Sequence, residues 1–341
     1  MNASGFEAIT ERFGKLRVAL VGDFCLDRYL EIDPGRSEVS IETGLEVYNV
    51  VRVRSQPGAA GTILNNLVAL GVATIYPVGF CGVDGEGFEL RRALSAKRGV
   101  CLDYFVETDQ RRTFTYCKPL IVQPGEAPRE LNRLDSKNWS PTPKSVQSKL
   151  RGGLETVAPQ VDAIVVMDQV DIAETGVVST EVLEAIRHIA KQLPELFIIA
   201  DSRRSLKGYP PVAFKMNRTE LSAFTGKSVE MQFAEIQAAA SKVACANARP
   251  VFVTLSEHGI MGADAKGQTE HVPAPPVRGE IDIVGAGDAV TANLTAALAS
   301  GASLREAIEM ANAAASIVIH QLGTTGTASI AQLRDVICSG E

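Results

Sequence analysis

Short β-rich runs, each bounded by Gly or Asp, recur along the chain at Arg17–Gly22, Thr74–Gly79, Val161–Met167, Leu196–Asp201 and Pro250–Leu255. Between most of them the apolar residues fall at helical spacing: Gly61–Leu70 stopped by Gly71, Asp84–Lys97 stopped by Gly99, Thr180–Leu193 and Met231–Ala246. Strands that alternate with helices pair in parallel, because the helix supplies the crossover that a parallel neighbour requires. The chain is therefore expected to be α/β, with a mostly parallel central sheet covered by helices on both faces. Its 341 residues, 45% hydrophobic and 22% charged with no low-complexity tract, suit one large domain with a small appendage.

Two stretches interrupt the alternation. Residues 29–56, containing Leu45-Glu46-Val47-Tyr48-Asn49-Val50-Val51-Arg52-Val53, and residues 108–135, containing Arg112-Thr113-Phe114-Thr115-Tyr116, are β-rich with partial alternation and no helix between strands. They are expected to form a separate small sheet. Such an insertion serves either as a lid that excludes water from a site at the strand ends of the main sheet, or as a surface hairpin or dimer contact. The pattern alone leaves both open.

A net charge of -6, with basic residues no denser than Arg91-Arg92, Arg111-Arg112 and Arg203-Arg204, argues against nucleic acid as a partner, since phosphate-backbone binding needs a concentrated basic surface. Those pairs read as solvated faces. The six cysteines lie far apart with no C-x-x-C, and the chain has four His, so neither a zinc site nor a disulfide framework is indicated. The N-terminus lacks a signal-peptide core, and no run approaches the roughly 18 apolar residues of a membrane span. A soluble, cytoplasmic protein is expected.

Near the C-terminus, Asp282-Ile283-Val284-Gly285-Ala286-Gly287-Asp288-Ala289 sets a carboxylate beyond a glycine-bearing turn, where a helix of small residues begins. That helix is expected over Ala289–Ser300, ending at Gly301. Ser303 and Glu306 then form an S-x-x-E capping box that opens a helix to about His320, closed near Gly323. Gly285 and Gly287 let the backbone come close to a ligand, with N–H groups at the helix start aimed at phosphate oxygens, and Asp288 is the nearby group able to take a proton. Read alone, the four residues fit a capped turn as well as a phosphate site.

Other short motifs stand upstream in a definite order. They are Val21-Gly22-Asp23-Phe24-Cys25-Leu26-Asp27; Pro57-Gly58-Ala59-Ala60-Gly61-Thr62 with Asn66 and Leu70-Gly71; and Gly79-Phe80-Cys81-Gly82-Val83-Asp84-Gly85-Glu86-Gly87. Asp201-Ser202-Arg203, Asn217-Arg218-Thr219-Glu220 and Thr254-Leu255-Ser256-Glu257-His258-Gly259 follow. With Asp282 to Asp288 as the last member, the series resembles the motifs of the ribokinase-type (PfkB) carbohydrate kinases, in the family's order and over nearly all 341 residues. Within that family, Leu26-Asp27-Arg28-Tyr29, Arg133-Leu134-Asp135, Ala311-Asn312-Ala313-Ala314-Ala315 and Leu322-Gly323-Thr324 are most similar to bacterial heptose 7-phosphate kinases. Some of those enzymes carry a fused nucleotidyltransferase domain, for which 341 residues leave no room.

The resemblance implies a ribokinase-like three-layer sandwich, with residues 1–28, 57–107 and 136–341 as the nucleotide- and substrate-binding core and 29–56 and 108–135 as a small β-sheet lid. It implies an ATP-dependent, Mg²⁺-requiring kinase acting on an alcohol group of a sugar or sugar phosphate. Asp288 would be the general base and Gly285, Ala286 and Gly287 the anion hole. Asp27, Gly58 and Thr62 would face the sugar, with Arg112, Lys118, Arg133 and Arg203 as candidates to meet a phosphate already on it. Thr254, Ser256, Gly259 and Asn312 would line the nucleotide. Asn217 and Glu220 would organise Mg²⁺ and its waters, and Asp282 a monovalent cation such as K⁺. Three residues depart from the family: Thr62 stands where an Asn commonly contacts the sugar, Ser256 where Gly is common, and Val284 where Thr is common. A homodimer through the lid is expected. A nucleoside or other small-alcohol kinase of this fold, or a catalytically silent sugar-phosphate-binding relative, is the competing reading.

Overall fold

The structure, a computed structural model, describes residues 1–338. The last three residues of the expected core range lie outside it. Eight strands make one sheet, in the order Thr269–Val272, Ile260–Ala263, Val251–Thr254, Ala213–Asn217, Phe197–Ser202, Ala163–Asp168, Arg17–Gly22, Thr74–Val78. The last six are mutually parallel, and the first two complete an antiparallel edge. The expected α/β architecture is thus present.

Period-two alternation explains why the sheet is covered on both sides. Along Arg17–Gly22, Val18 and Leu20 join one core cluster while Ala19 and Val21 join the other; Ala163 and Val165 divide from Ile164 and Val166 in the same way. The first face is covered by Ala60–Ala69, Ala286–Ala299 and Leu304–Val318, the second by Lys144–Val157, Thr180–Gln192 and Phe233–Asn247. Ala286–Ala299 is built from Ala, Thr, Asn and other mostly small residues and is buried on every side from Ala289 to Ala297, so its neighbours approach closely. Ser303 and Glu306 form the expected capping box.

A second sheet of four strands runs Arg129–Glu130, Phe114–Ile121, Phe24–Ile32, Val50–Ala59. Phe24–Ile32 continues from the central strand with only Asp23 between them, so it straddles the boundary expected at residues 28 and 29. Val50–Ala59 is its edge, and Val50, Val51 and Val53 are exposed there. Beyond it a short hairpin of Glu38–Val39 and Glu46–Val47 carries Ile41, which is 99% exposed and so packs on nothing within the chain.

Ala59, at the junction of that strand with the Ala60–Ala69 helix, has φ 54 and ψ -117. This conformation favours Gly, and an Ala held in it stores strain of about 1–3 kcal/mol. The junction is fixed by Ala60 N donating to Asp23 O at 3.0 Å. Asp23 is itself fully buried and accepts backbone N–H bonds from Gln169, Val170 and Val177. One carboxylate thus ties the first strand to the loop after Asp168, and burial and the Asp168 charge push it up to about 7.

Candidate active site

The parallel strands end at Gly22, Asp168, Ser202, Asn217 and Thr254 on one edge. The chain reverses its direction of growth at Arg17–Gly22, which lies between Thr74–Val78 and Ala163–Asp168, and open sheets bind ligands at such a point. Gly285, with φ 84, makes the turn into the Ala286–Ala299 helix at this edge. Of the expected anion hole, Ala286 is not available through its N–H, which donates to Ile283 O at 3.2 Å. Among the described residues the N–H groups of Gly287 and Asp288 have no acceptor in the chain, as expected for a first helical turn. The N–H of Gly285 likewise has no acceptor among the described residues, so the turn leaves three N–H groups open and engages that of Ala286.

Asp288 occupies that first turn with its carboxyl pushed up to about 7 by burial and by the charge of Asp201, against the opposing pull of Lys215 and Arg203. Lys215 was not foreseen. It projects from Ala213–Asn217, is 6% exposed, and donates through Nζ to Asp201 Oδ2 at 2.9 Å. A lysine within the otherwise apolar run Ala213-Phe214-Lys215-Met216 is the signal that would have revealed it, since lysines are rarely buried without a partner.

A cavity of about 420 Å³ opens beside the turn. It gathers Asn217, Thr254, Ser256, Gly259 and Asn312 with Ala286 and Gly287, against an apolar wall that includes Val277, Ile281 and Ile319. Asn312 Nδ2 donates to Val272 O at 2.7 Å and Pro273 O at 3.3 Å, so it also anchors the loop that forms this wall. A Cβ on Gly259, whose φ is 87, would lie 2.1 Å from Val272 O, which makes Gly necessary there. Ser256 adopts φ 52, a conformation that favours Gly. Asn217 and Glu220 form a reciprocal capping box at the start of Arg218–Thr225: Glu220 N donates to Asn217 Oδ1 at 2.8 Å and Asn217 N donates to Glu220 Oε2 at 2.7 Å. Burial and the Asp201 charge raise the Glu220 carboxyl.

On the other side of the turn, Asp27 is buried, with Lys118 Nζ 3.8 Å from its carboxylate and 5.0 Å from the centre of the Tyr29 ring. Burial raises Asp27, and Lys118, Arg133 and Arg203 pull it back. Arg133 lies over the Tyr116 ring at 4.7 Å and pairs with Asp135 at 2.8 Å. A Cβ on Gly58 would meet Asp27 Oδ2 at 2.4 Å, so only Gly permits this approach. Thr62 is buried, with its methyl 3.4 Å from where a Cβ on Gly285 would stand, and so joins the Ala60–Ala69 helix to the turn. Arg112 is exposed, and among the described residues no hydrogen bond or ion pair brings its guanidinium into this group; its backbone is held by Asn138. Asp282 Oδ1 accepts from Val284 N at 3.0 Å, and Asp282 N donates to Ile319 O at 2.8 Å, which leaves one carboxylate oxygen without a hydrogen bond among the described residues. Among the described residues no group of three or more His, Cys, Asp and Glu forms a metal cluster, and no helix is long and apolar enough to cross a membrane.

A parallel α/β sheet with a small second sheet, and a glycine turn delivering a carboxylate to its edge, define a ribokinase-like sugar kinase. The model of the pfkB family carbohydrate kinases matches residues 24–331, and the chain belongs to that family. The bifunctional protein HldE of Paramagnetospirillum magneticum is 31% identical over 322 residues, which are 93% of this chain and 63% of that protein. The HldE protein of Gluconacetobacter diazotrophicus is 30% identical over 321 residues, 94% of this chain and again 63% of its own. The chain thus spans less than two thirds of these relatives' length. Among solved structures, phosphofructokinase-2 from Escherichia coli in complex with substrates and products superposes with a TM-score of 0.71 at 20% identity, over 94% of this chain and 98% of that one. Arabidopsis thaliana ribokinase complexed with ribose and ATP gives 0.67 at 20% identity with the same coverage.

Proposed function

We propose that the chain transfers the γ-phosphoryl group of ATP to a hydroxyl of a sugar phosphate of the heptose 7-phosphate type, with Asp288 as general base. The observation that carries this reading is the placement of Asp288 in the first turn after Gly285, directly beyond the cavity-lining Ala286 and Gly287, where burial and Asp201 push its carboxyl up to about 7. A base poised near the working pH takes a proton readily and holds it as the new bond forms.

The cavity suits a nucleotide: apolar residues for the base, then Thr254, Ser256 and Gly259, then the turn N–H groups for the phosphates. Glu220 has one oxygen engaged by Asn217, and the other would hold water around a Mg²⁺ carried in with ATP, an ion that keeps much of its hydration in such sites. That ion would supply charge neutralisation on the phosphates. Asp282 would contribute its remaining oxygen, with nearby carbonyls, to a monovalent cation. Asp27 accepts from sugar hydroxyls and orients one toward Asp288. Lys118, Arg133 and Arg203, whose charges all act on Asp27, favour a substrate that brings its own phosphate.

The second sheet would close over the sugar as a lid, with the core and lid divided as the sequence suggests. Its exposed Val50, Val51 and Val53, with Ile41 on the hairpin, suit a homodimer formed lid to lid. All six cysteines are free, which fits a reducing cytoplasm. The deciding experiment is an ATP-consumption screen over sugars, heptose and hexose phosphates and nucleosides, with Asp288→Asn as the blank. Turnover with a phosphorylated sugar and none in the blank is the expected result. Turnover confined to nucleosides, or equal turnover in the blank, overturns the reading.

A further inference from the structure

The crossover between Phe197–Ser202 and Ala213–Asn217 departs from the pattern of the rest of the sheet. Parallel neighbours are ordinarily joined through a helix, yet residues 203–212 contain none. On the second face of the sheet, a loop is therefore all that covers the space between the Thr180–Gln192 and Phe233–Asn247 helices. Both helices grip that loop: Arg187 Nη2 donates to Gly208 O at 3.3 Å, and Asn247 Nδ2 donates to Val212 O. The volume that a crossover helix would fill is left as a cavity of about 370 Å³, within the size range of small-molecule sites.

Its lining combines two chemistries. Tyr209, Phe214 and Phe224 supply aromatic rings, the two Phe rings standing edge to face at 5.9 Å, and Leu206, Ala239 and Val243 extend the apolar wall. Lys227 and Lys242 also line it, both exposed; among the described residues neither makes an ion pair, and no Asp or Glu lines the cavity. An aromatic wall beside two uncompensated ammonium groups is complementary to a flat molecule that carries negative charge.

Tyr209 connects this cavity to the strand ends. Its hydroxyl donates to Asp168 Oδ2 at 2.9 Å, an oxygen that also accepts from Ser202 Oγ and Arg204 Nη2, each at 2.8 Å. Asp168 Oδ1 and Arg204 Nε are buried with no hydrogen-bond partner among the described residues, so the cluster has capacity to re-pair. Asp168 O accepts from Arg203 N at 3.0 Å. Burial and the Asp168 charge together raise Asp23, the carboxylate that holds the N–H groups of Gln169, Val170 and Val177.

We propose that this cavity is a regulatory site for a small aromatic anion, recognised through Lys227 and Lys242, and that its occupancy draws Tyr209 away from Asp168 and weakens sugar binding. The cavity shares no lining residue with the nucleotide space. Loss of the Tyr209 donor leaves a buried carboxylate less satisfied, and the Gln169–Val177 segment and the Arg203 backbone loosen with it. The effect on sugar rests on the kinase reading; binding and the relay through Tyr209 do not.

Calorimetry with naphthalenesulfonate, in saturating MgADP so that the nucleotide cavity is filled, compares the parent with the double variant Lys227→Glu and Lys242→Glu. The double variant is expected to bind the sulfonate about tenfold more weakly, because two charges are reversed, while the uncharged naphthalenesulfonamide changes by less than about threefold. Equal sulfonate affinity in the two proteins, no binding to the parent, or displacement by MgADP overturns the site. Hydrogen exchange at the Gln169, Val170 and Val177 amides reads the relay without turnover. The sulfonate should speed exchange there about threefold or more in the parent and leave it unchanged in Tyr209→Phe, which still binds the probe. Unchanged exchange in the parent, or equal acceleration in both proteins, overturns the relay. In steady-state kinetics of the parent the sulfonate should raise the KM for a phosphorylated sugar about threefold or more and leave the KM for ATP within about twofold. A sugar KM indifferent to bound sulfonate overturns the regulatory role. A parent that binds the probe and shows the exchange effect but phosphorylates no sugar refutes the kinase reading, and the effect on sugar with it, while the binding site stands.

Discussion

Asp288→Asn should make the protein inactive and more stable at once, with a pH dependence fixed by the site. The Asp288 carboxyl has an ordinary value of 3.8 and is pushed up to about 7, first by burial and then by Asp201. The folded state therefore binds this proton more tightly than the unfolded chain, so the stability linked to it is present below about pH 4 and is lost as pH rises toward 7. At about 1.4 kcal/mol per pH unit, this raised value lowers stability, relative to acid pH, by about 1.5 kcal/mol at pH 5, where only the unfolded chain has ionised, and by about 4 kcal/mol at pH 8. Asn has no such ionisation. Denaturant unfolding of the ligand-free parent and variant should show a stability difference in favour of the variant that grows by about 2–3 kcal/mol from pH 5 to pH 8. Asp23 is also pushed up to about 7, but it is common to both proteins and cancels. Turnover should fall by roughly 10²–10⁴, the range for loss of a general base. A stability difference that stays constant over this pH range, or a parent more stable than the variant at pH 8, refutes the reasoning.

Gly58→Ala places a methyl 2.4 Å from Asp27 Oδ2, so steady-state kinetics should show a raised KM for the sugar with the KM for ATP little changed. Ala59→Gly relieves a backbone at φ 54 and ψ -117 and should raise stability by about 1 kcal/mol in thermal unfolding; a lowered Tm would show that the junction is not strained. Ile41→Asp, at a side chain that touches nothing in its own chain, should leave the Tm of the monomer unchanged and weaken a lid-to-lid dimer at least about tenfold by analytical ultracentrifugation, because burial of an isoleucine is worth about 1.5–3 kcal/mol.

The central strands were legible because buried parallel strands are continuous apolar runs, and the Ser303–Glu306 box because capping is a local matter. Lys144–Val157 escaped notice: Gly152 and Gly153 interrupt its helical pattern, and Gly153 is tolerated beside Tyr104, which packs 3.4 Å from where its Cβ would be. The strand Ala213–Asn217 and the hairpin of Ile260–Ala263 and Thr269–Val272 were also missed, being four or five residues long with weak turn signals. In the site, the glycine turn and Asp27 announce themselves through motif order. Lys215 and Asp201 meet only through strand pairing, and the engagement of the Ala286 N–H depends on the detailed path of the turn. Convergence of distant side chains is not written in spacing.

The placement of Arg17–Gly22 has a consequence for biosynthesis. This strand is flanked by Thr74–Val78 on one side and by Ala163–Asp168 on the other, with Val21 in register with Val166. At roughly 5–20 residues per second, on the order of 10 to 30 s separates the emergence of the strand from that of its second neighbour. During that interval one edge of a strand that is apolar from Val18 to Val21 is unpaired on the ribosome. The nascent chain is then most in need of a holding chaperone, and substitutions that slow elongation before Asp168 should lower the yield of folded protein without altering its final stability.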